Sequence, residues 1–91
     1  MNKYFIEVPH GADKQSCKQA IRVFLETGSH FLSHAEWGCL DAEHKAWILV
    51  DTESKEEARN IISPAYRDSA KIIQLTTFKS TDFLEPEKYH K

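Results

Sequence analysis

The sequence predicts an α+β chain, a βαββαβ sandwich built on one antiparallel four-stranded sheet. Three observations predict it. Apolar, β-prone runs fall at residues 4–8, 31–39, 45–50 and 71–78. Two stretches of helical period sit between the first and second runs and between the third and fourth. A short polar turn at Asp41 and Ala42 joins the middle two runs as a hairpin.

The elements follow in order. Tyr4, Phe5, Ile6, Glu7 and Val8 form strand 1, which Pro9 ends because proline cannot continue a ladder. His10, Gly11 and Ala12 make a turn, and Asp13 caps the first helix. In that helix Cys17, Ala20, Ile21 and Phe24 recur at helical spacing with Leu25 beside them, so Cys17 reads as core. Gly28 supplies the stop. Residues 31–39 form strand 2 and residues 45–50 form strand 3. Ser54 with Glu57 is a capping box for the second helix, whose buried stripe is Ala58, Ile61 and Ile62. Pro64 breaks or restarts it, with one more turn at Ala65, Tyr66 and Arg67. Residues 71–78 form strand 4. The domain thus spans residues 1–78, and residues 79–91 are a polar tail, carrying Phe83 and Leu84, expected to dock on a partner subunit.

A chain of 91 residues holds one domain, and its composition (41% hydrophobic, 29% charged) is that of a globular protein. The net charge of −2, with basic residues scattered, offers no footprint for nucleic acid or an anionic membrane. No run approaches the ~20 apolar residues of a membrane span, and Glu7 and Pro9 interrupt the N-terminus too early for a signal peptide. Two cysteines, Cys17 and Cys39, are too few for a disulfide scaffold, so the expectation is a cytoplasmic protein with reduced thiols.

Five histidines are the unusual feature: His10, His30, His34, His44 and His90. A turn at Asp41 and Ala42 sets Cys39 opposite His44, Trp37 opposite Ala46 and Ala35 opposite Ile48. That set, with Val50 and Phe31, should lie under the helices. The opposite face carries His34, Glu36, Gly38, Lys45, Trp47, Leu49 and Leu32, a mixed surface that invites a partner. His30 and His34 read as an HxxxH metal pair only on a helix. In a strand they stand ~13 Å apart at ~3.3 Å per residue, too far for one ion. His34 and Glu36, two apart, can share one.

Topology gathers a better group. In the ferredoxin-like arrangement of these elements, the end of strand 1, the end of strand 2 and the start of strand 3 meet at one end of the sheet. His10, Cys39 and His44 should therefore cluster there. The N-terminus of the first helix opens at the same end and favours an anion, and Tyr66, Arg67 and Lys71 also point there. Two imidazoles and a thiol can hold a soft or borderline metal. They can also make a thiolate nucleophile. Equally, cysteine serves as a small buried apolar residue and strand-end histidines are often merely solvated. Trp37 can stack on a ligand or fill core, and Arg67 can hold a carboxylate or simply carry a solvated charge.

The chain resembles the dimeric α+β barrel superfamily, small ferredoxin-like proteins whose sheets pack face to face. Muconolactone isomerase, the heme-degrading and quinol-forming monooxygenases and the YCII-like proteins belong to it. The resemblance covers about residues 3–78. It rests on element order, on the outer face around Leu32, Trp47 and Leu49, and on the tail. It implies a homodimer and a pocket for a small organic molecule, but carries over no catalytic residue by motif. The stretch from His34 to Cys39, followed by His44, Lys45, Ala46 and Trp47, looks like the signature of a small branch.

The leading expectation is a protein that binds or converts a small organic molecule by isomerase, lyase or cofactor-independent oxygenase chemistry. Its catalytic candidates are His10, Cys39 and His44, and its ligand-binding candidates are Trp37, Tyr66 and Arg67. The alternative is a metal-binding or metal-sensing protein that holds a divalent ion through His10, Cys39 and His44. A third is a structural or regulatory dimer without chemistry.

Overall fold

The computed structural model describes residues 1–26 and 30–79. Among these are strands β1 (Asn2–Pro9), β2 (Glu36–Trp37), β3 (Lys45–Thr52) and β4 (Lys71–Leu75), and helices α1 (Lys14–Glu26), α2 (His30–Ser33), α3 (Lys55–Ile61) and α4 (Pro64–Arg67). A 3₁₀ turn, Cys39–Asp41, lies between β2 and β3. The four strands form one antiparallel sheet in the order β2-β3-β1-β4, which is compatible with a ferredoxin-like fold.

Alternation along the two central strands builds the core. Tyr4, Ile6 and Val8 of β1 and Ala46, Ile48, Val50 and Thr52 of β3 are buried on one face. Helix α1 lays Ala20 and Phe24 on that face, and Ala58 of α3 and Ile62 just beyond it complete the cover. Full burial of a side chain such as Ile6 stabilises by about 1.5–3 kcal/mol. The expected register holds for the two residues of β2, Trp37 with Ala46 and Glu36 with Trp47, whereas the expected strand pairs Ala35 with Ile48 and Cys39 with His44 are not formed, because β2 ends on either side of these two residues. Leu49 and Trp47 lie on the outer face, where Leu49 stands directly opposite Phe5 and Phe5 opposite Ile73.

The expected helix ends are present. Asp13 accepts from the Ser16 N–H at 2.9 Å and from the Ser16 hydroxyl at 2.7 Å. Ser54 accepts from the Glu57 N–H at 3.1 Å, while the Glu57 carboxylate takes the N–H of Glu53, one residue before the usual capping-box partner. The chain turns extended at Ile62, and Pro64 starts the new helical turn α4.

Strand 2 is the main correction. Residues 31–39 are not one strand: His30–Ser33 is helical, only Glu36 and Trp37 pair with β3, and Cys39 enters the 3₁₀ turn. The cause is burial of Leu32, which is 1% exposed in the core and not on the outer face. A helical turn carries it there, closed locally by the His34 N–H on the Phe31 carbonyl and the Ser33 hydroxyl on the His30 carbonyl. The hairpin link is accordingly longer than a tight turn, and Ala42 takes φ 62° within it. Leu25 is exposed rather than core. β4 stops at Leu75, short of Phe78. Gly28 and the tail beyond Lys79, with Phe83 and Leu84, lie outside the described residues.

Candidate functional site

Strand ends deliver the two histidines. His10 follows the last residue of β1, His44 precedes the first residue of β3, and Pro9 pairs with Lys45 between them. The His10 N–H donates to the His44 carbonyl at 3.0 Å, continuing the ladder past the proline that cannot donate. The rings consequently sit side by side, centroids 5.9 Å apart and nearly perpendicular.

The β2–β3 link delivers Cys39. The Gly38 carbonyl accepts from the N–H groups of Asp41 and Glu43, and the Gly38 N–H donates to the Lys45 carbonyl. Gly38 is required by space. A Cβ there would stand 2.7 Å from the Trp47 ring and 2.8 Å from the Glu43 carbonyl oxygen. The turn places the Cys39 Sγ 3.2 Å from His10 Nε2. One donor atom from each of His10, Cys39 and His44 falls within 4.8 Å of the others, and each residue is half-buried.

Cys17 joins the group. It lies one turn inside α1, and its Sγ donates to the Cys39 Sγ at 3.0 Å. Its helical spacing with Ala20 and Phe24 marks Cys17 as core, yet it is half-buried and faces Cys39. The signal that finds it is topological. The start of α1 opens at the same end of the sheet as His10, so a cysteine one turn in belongs with the cluster.

The surroundings disfavour the charged forms of His10 and Cys39. Burial, then the neighbouring His44, lowers the His10 pKa below the ordinary imidazole value. Burial, followed by the contact with Cys17, pushes the Cys39 thiol up to about 11. His10 and His44 each leave a buried Nδ1 without a hydrogen-bond partner, an arrangement that is costly unless a ligand completes it.

The other candidates divide. Trp37 flanks the cluster, its ring 5.7 Å from His10 and 5.0 Å from Phe24. Tyr66 packs on Phe24 and, with His10, Gly11, Ser16, Gln19 and Ala65, lines a cleft of about 220 Å³. Arg67 is not in that lining. Its guanidinium donates to the carbonyls of Ile62 and Asn60, tying α4 to the end of α3. At the start of α1 the Ser16 N–H is already taken by the Asp13 carboxylate, where an exogenous anion was expected. His30 and His34 do share a helical turn, with ring centroids 4.5 Å apart, so the strand spacing that set them apart does not apply. No third donor joins them among the described residues. His34 and Glu36 instead line a cleft of about 590 Å³ on the outer face with Phe5, Trp47, Ile48 and Leu49.

Comparison with known proteins finds no matching family model, curated protein or solved structure.

Proposed function

We propose that the protein binds or senses a soft or borderline transition-metal ion at the end of the sheet, with His10, Cys39 and His44 as ligands. The observation that carries this reading is the convergence of three donor atoms, from three separate segments, to within 4.8 Å. A tetrahedral ion with bonds of ~2.0–2.3 Å holds its donors roughly 3.3–3.8 Å apart, so side-chain shifts of about 1 Å close the site. Nitrogen with sulfur donors suits zinc, copper(I), nickel or cobalt, and is a poor match for magnesium or calcium, which take oxygen. The orphaned Nδ1 atoms of His10 and His44 support a missing ligand. The raised Cys39 pKa weighs against a free thiolate nucleophile, whereas a bound cation deprotonates a coordinating thiol.

A second reading is favoured by the cleft beside His10. A small organic acid or carbonyl compound seated against Ser16, Gln19 and Tyr66 meets a neutral imidazole that can accept a proton. Isomerase or lyase chemistry is the class this would serve. The ferredoxin-like assignment and a homodimer with sheets face to face belong to the same proposal. Strand order and the apolar row Leu49, Phe5 and Ile73 support them.

The test is metal content of the untagged protein by mass spectrometry, taken on a size-exclusion peak with light scattering. About one metal ion per chain, lost in Cys39→Ala or His44→Ala variants that remain folded, is the expected result. A metal-free protein after growth with zinc, nickel, copper and iron overturns the metal reading. Screening of small organic acids against the cleft then decides the second.

A further inference from the structure

We propose that Cys17 and Cys39 are a redox-active dithiol, oxidised by small disulfides of the glutathione class to an intramolecular disulfide that releases the metal ion. The oxidation site needs only the two sulfurs. The release of metal rests on the function proposed above.

The geometry is local and specific. The two cysteines are 22 positions apart in sequence, one in α1 and the other in the 3₁₀ turn, yet their Sγ atoms lie 3.0 Å apart. A disulfide needs ~2.05 Å between the sulfurs, so closure asks for a movement of about 1 Å. Both cysteines are free thiols and half-buried, so the pair is sheltered without being sealed in the core. A cleft lined by His10 and Ser16 lies close to the pair: Ser16 precedes Cys17 in α1, and His10 Nε2 touches Cys39 Sγ.

The chemistry balances as thiol–disulfide exchange. The Cys17 sulfur loses its proton and attacks the small disulfide, forming a mixed disulfide and expelling one small thiolate. The Cys39 sulfur, held 3.0 Å from Cys17, then loses its proton and attacks the protein-side sulfur of that mixed disulfide. The Cys17–Cys39 bond forms and the second small thiolate leaves. The two protein thiols are oxidised by two electrons, the small disulfide is reduced by two electrons, and the two protons end on the two small thiols. A disulfide sulfur is no longer a thiolate donor. Oxidation therefore removes Cys39 from the ligand set and leaves two imidazoles. Redox state and metal occupancy are coupled by a sulfur common to both.

The experiment uses the full chain, reduced and stripped of metal, then equilibrated with oxidised glutathione. Intact-mass spectrometry is expected to find the protein lighter by its two thiol hydrogens and monomeric in covalent terms, with reductant restoring it. Cys17→Ser and Cys39→Ser variants should carry one glutathione each instead. Glutathione adducts on both cysteines of the wild-type chain overturn the proposal, as does a disulfide between chains. Absence of reaction in the folded protein, with normal reaction in denaturant, also overturns it.

Zinc titration of the two forms reads the coupling. Stoichiometric binding by the reduced protein and loss of at least tenfold in affinity on oxidation is expected. Equal binding by both forms overturns the coupling. If the disulfide forms while the reduced protein binds no zinc, nickel, copper or cobalt, the metal function fails and the dithiol stands.

Discussion

The N–H of His10 donates to the carbonyl of His44, and this one backbone bond registers the two imidazoles of the site against each other. Their spacing is thus a property of the β1–β3 ladder, set eight residue pairs deep, and not of flexible loops. A site built this way keeps its scaffold when a side chain is removed. His10→Ala and His44→Ala should therefore leave the far-UV circular dichroism and thermal midpoint near wild type. They should weaken metal binding by more than the ~10–100-fold typical of losing a ligand's outer support. Competition with a chromophoric chelator measures this, and wild-type affinity in both variants would falsify the ligand roles.

Gly38→Ala tests the turn that carries Cys39. The added Cβ meets the Trp47 ring and also the Glu43 carbonyl oxygen, which is backbone and cannot swing aside. The expected cost is about 1–3 kcal/mol of overpacking, together with weaker metal binding because Cys39 is the next residue. Urea denaturation gives the stability change. A neutral substitution would mean that the link relaxes freely and does not fix the cysteine.

The sheet was legible from the sequence because its information is local. Alternation in residues 4–8 and 45–50, and the turn residues between strands 2 and 3, were enough to pair Trp37 with Ala46. The segment around Leu32 was not legible. Its apolar residues fit a strand as well as a helical turn, and the choice is made by a tertiary event, the burial of Leu32 under the sheet. The site divides the same way. His10, Cys39 and His44 follow from where strands end. Cys17 was hidden because its helical period matches residues that are core, although it reaches Cys39 at 3.0 Å. Arg67 was drawn to the ligand by its charge, whereas the carbonyls of Ile62 and Asn60 claim it, a contact with no signature in sequence.

Leu32→Ala separates the two descriptions of that segment. At 1% exposure in the core, truncation should cost about 2–5 kcal/mol. On an outer sheet face the same change would cost far less in a monomer. Chemical denaturation of the variant decides, and a loss under about 0.5 kcal/mol would contradict burial.

Asp13 gives the chain a defined acid response. Hydrogen bonds from the Ser16 hydroxyl, and next from the Ser16 N–H, hold its carboxyl below the ordinary value of 3.8. A pKa lowered by folding contributes stability that is fully present above the unfolded value and is lost as pH falls through the folded one. Asparagine can still cap the helix but does not titrate in this range. Asp13→Asn should therefore lower the thermal midpoint at neutral pH, with the gap to wild type narrowing below about pH 4. Melts across pH 2 to 7, on the order of one per pH unit, check the sign. A gap that stays constant over that range would show that the carboxylate charge is not what stabilises the start of α1.

The outer face supplies the last prediction. Leu49 is 59% exposed and stands opposite Phe5, which stands opposite Ile73, so three apolar side chains run in a row across β3, β1 and β4. Beside them Trp47 donates to the Glu7 carboxylate, which Lys45 also approaches, leaving the row with a polar border. An apolar row with a polar rim has the make-up of an interface between subunits. A second copy of the chain presenting the same row would be self-complementary about a twofold axis. Leu49→Asp places a charge in the middle of that row. If two sheets pack there, the variant should shift from dimer to monomer by light scattering, because burying an unpaired carboxylate costs several kcal/mol. If the wild type is already a monomer, the same substitution should change stability by no more than about 0.5 kcal/mol. That result would remove the face-to-face dimer while leaving the proposed metal site untouched, since His10, Cys39 and His44 lie at the end of the sheet and not on the face that Leu49 occupies.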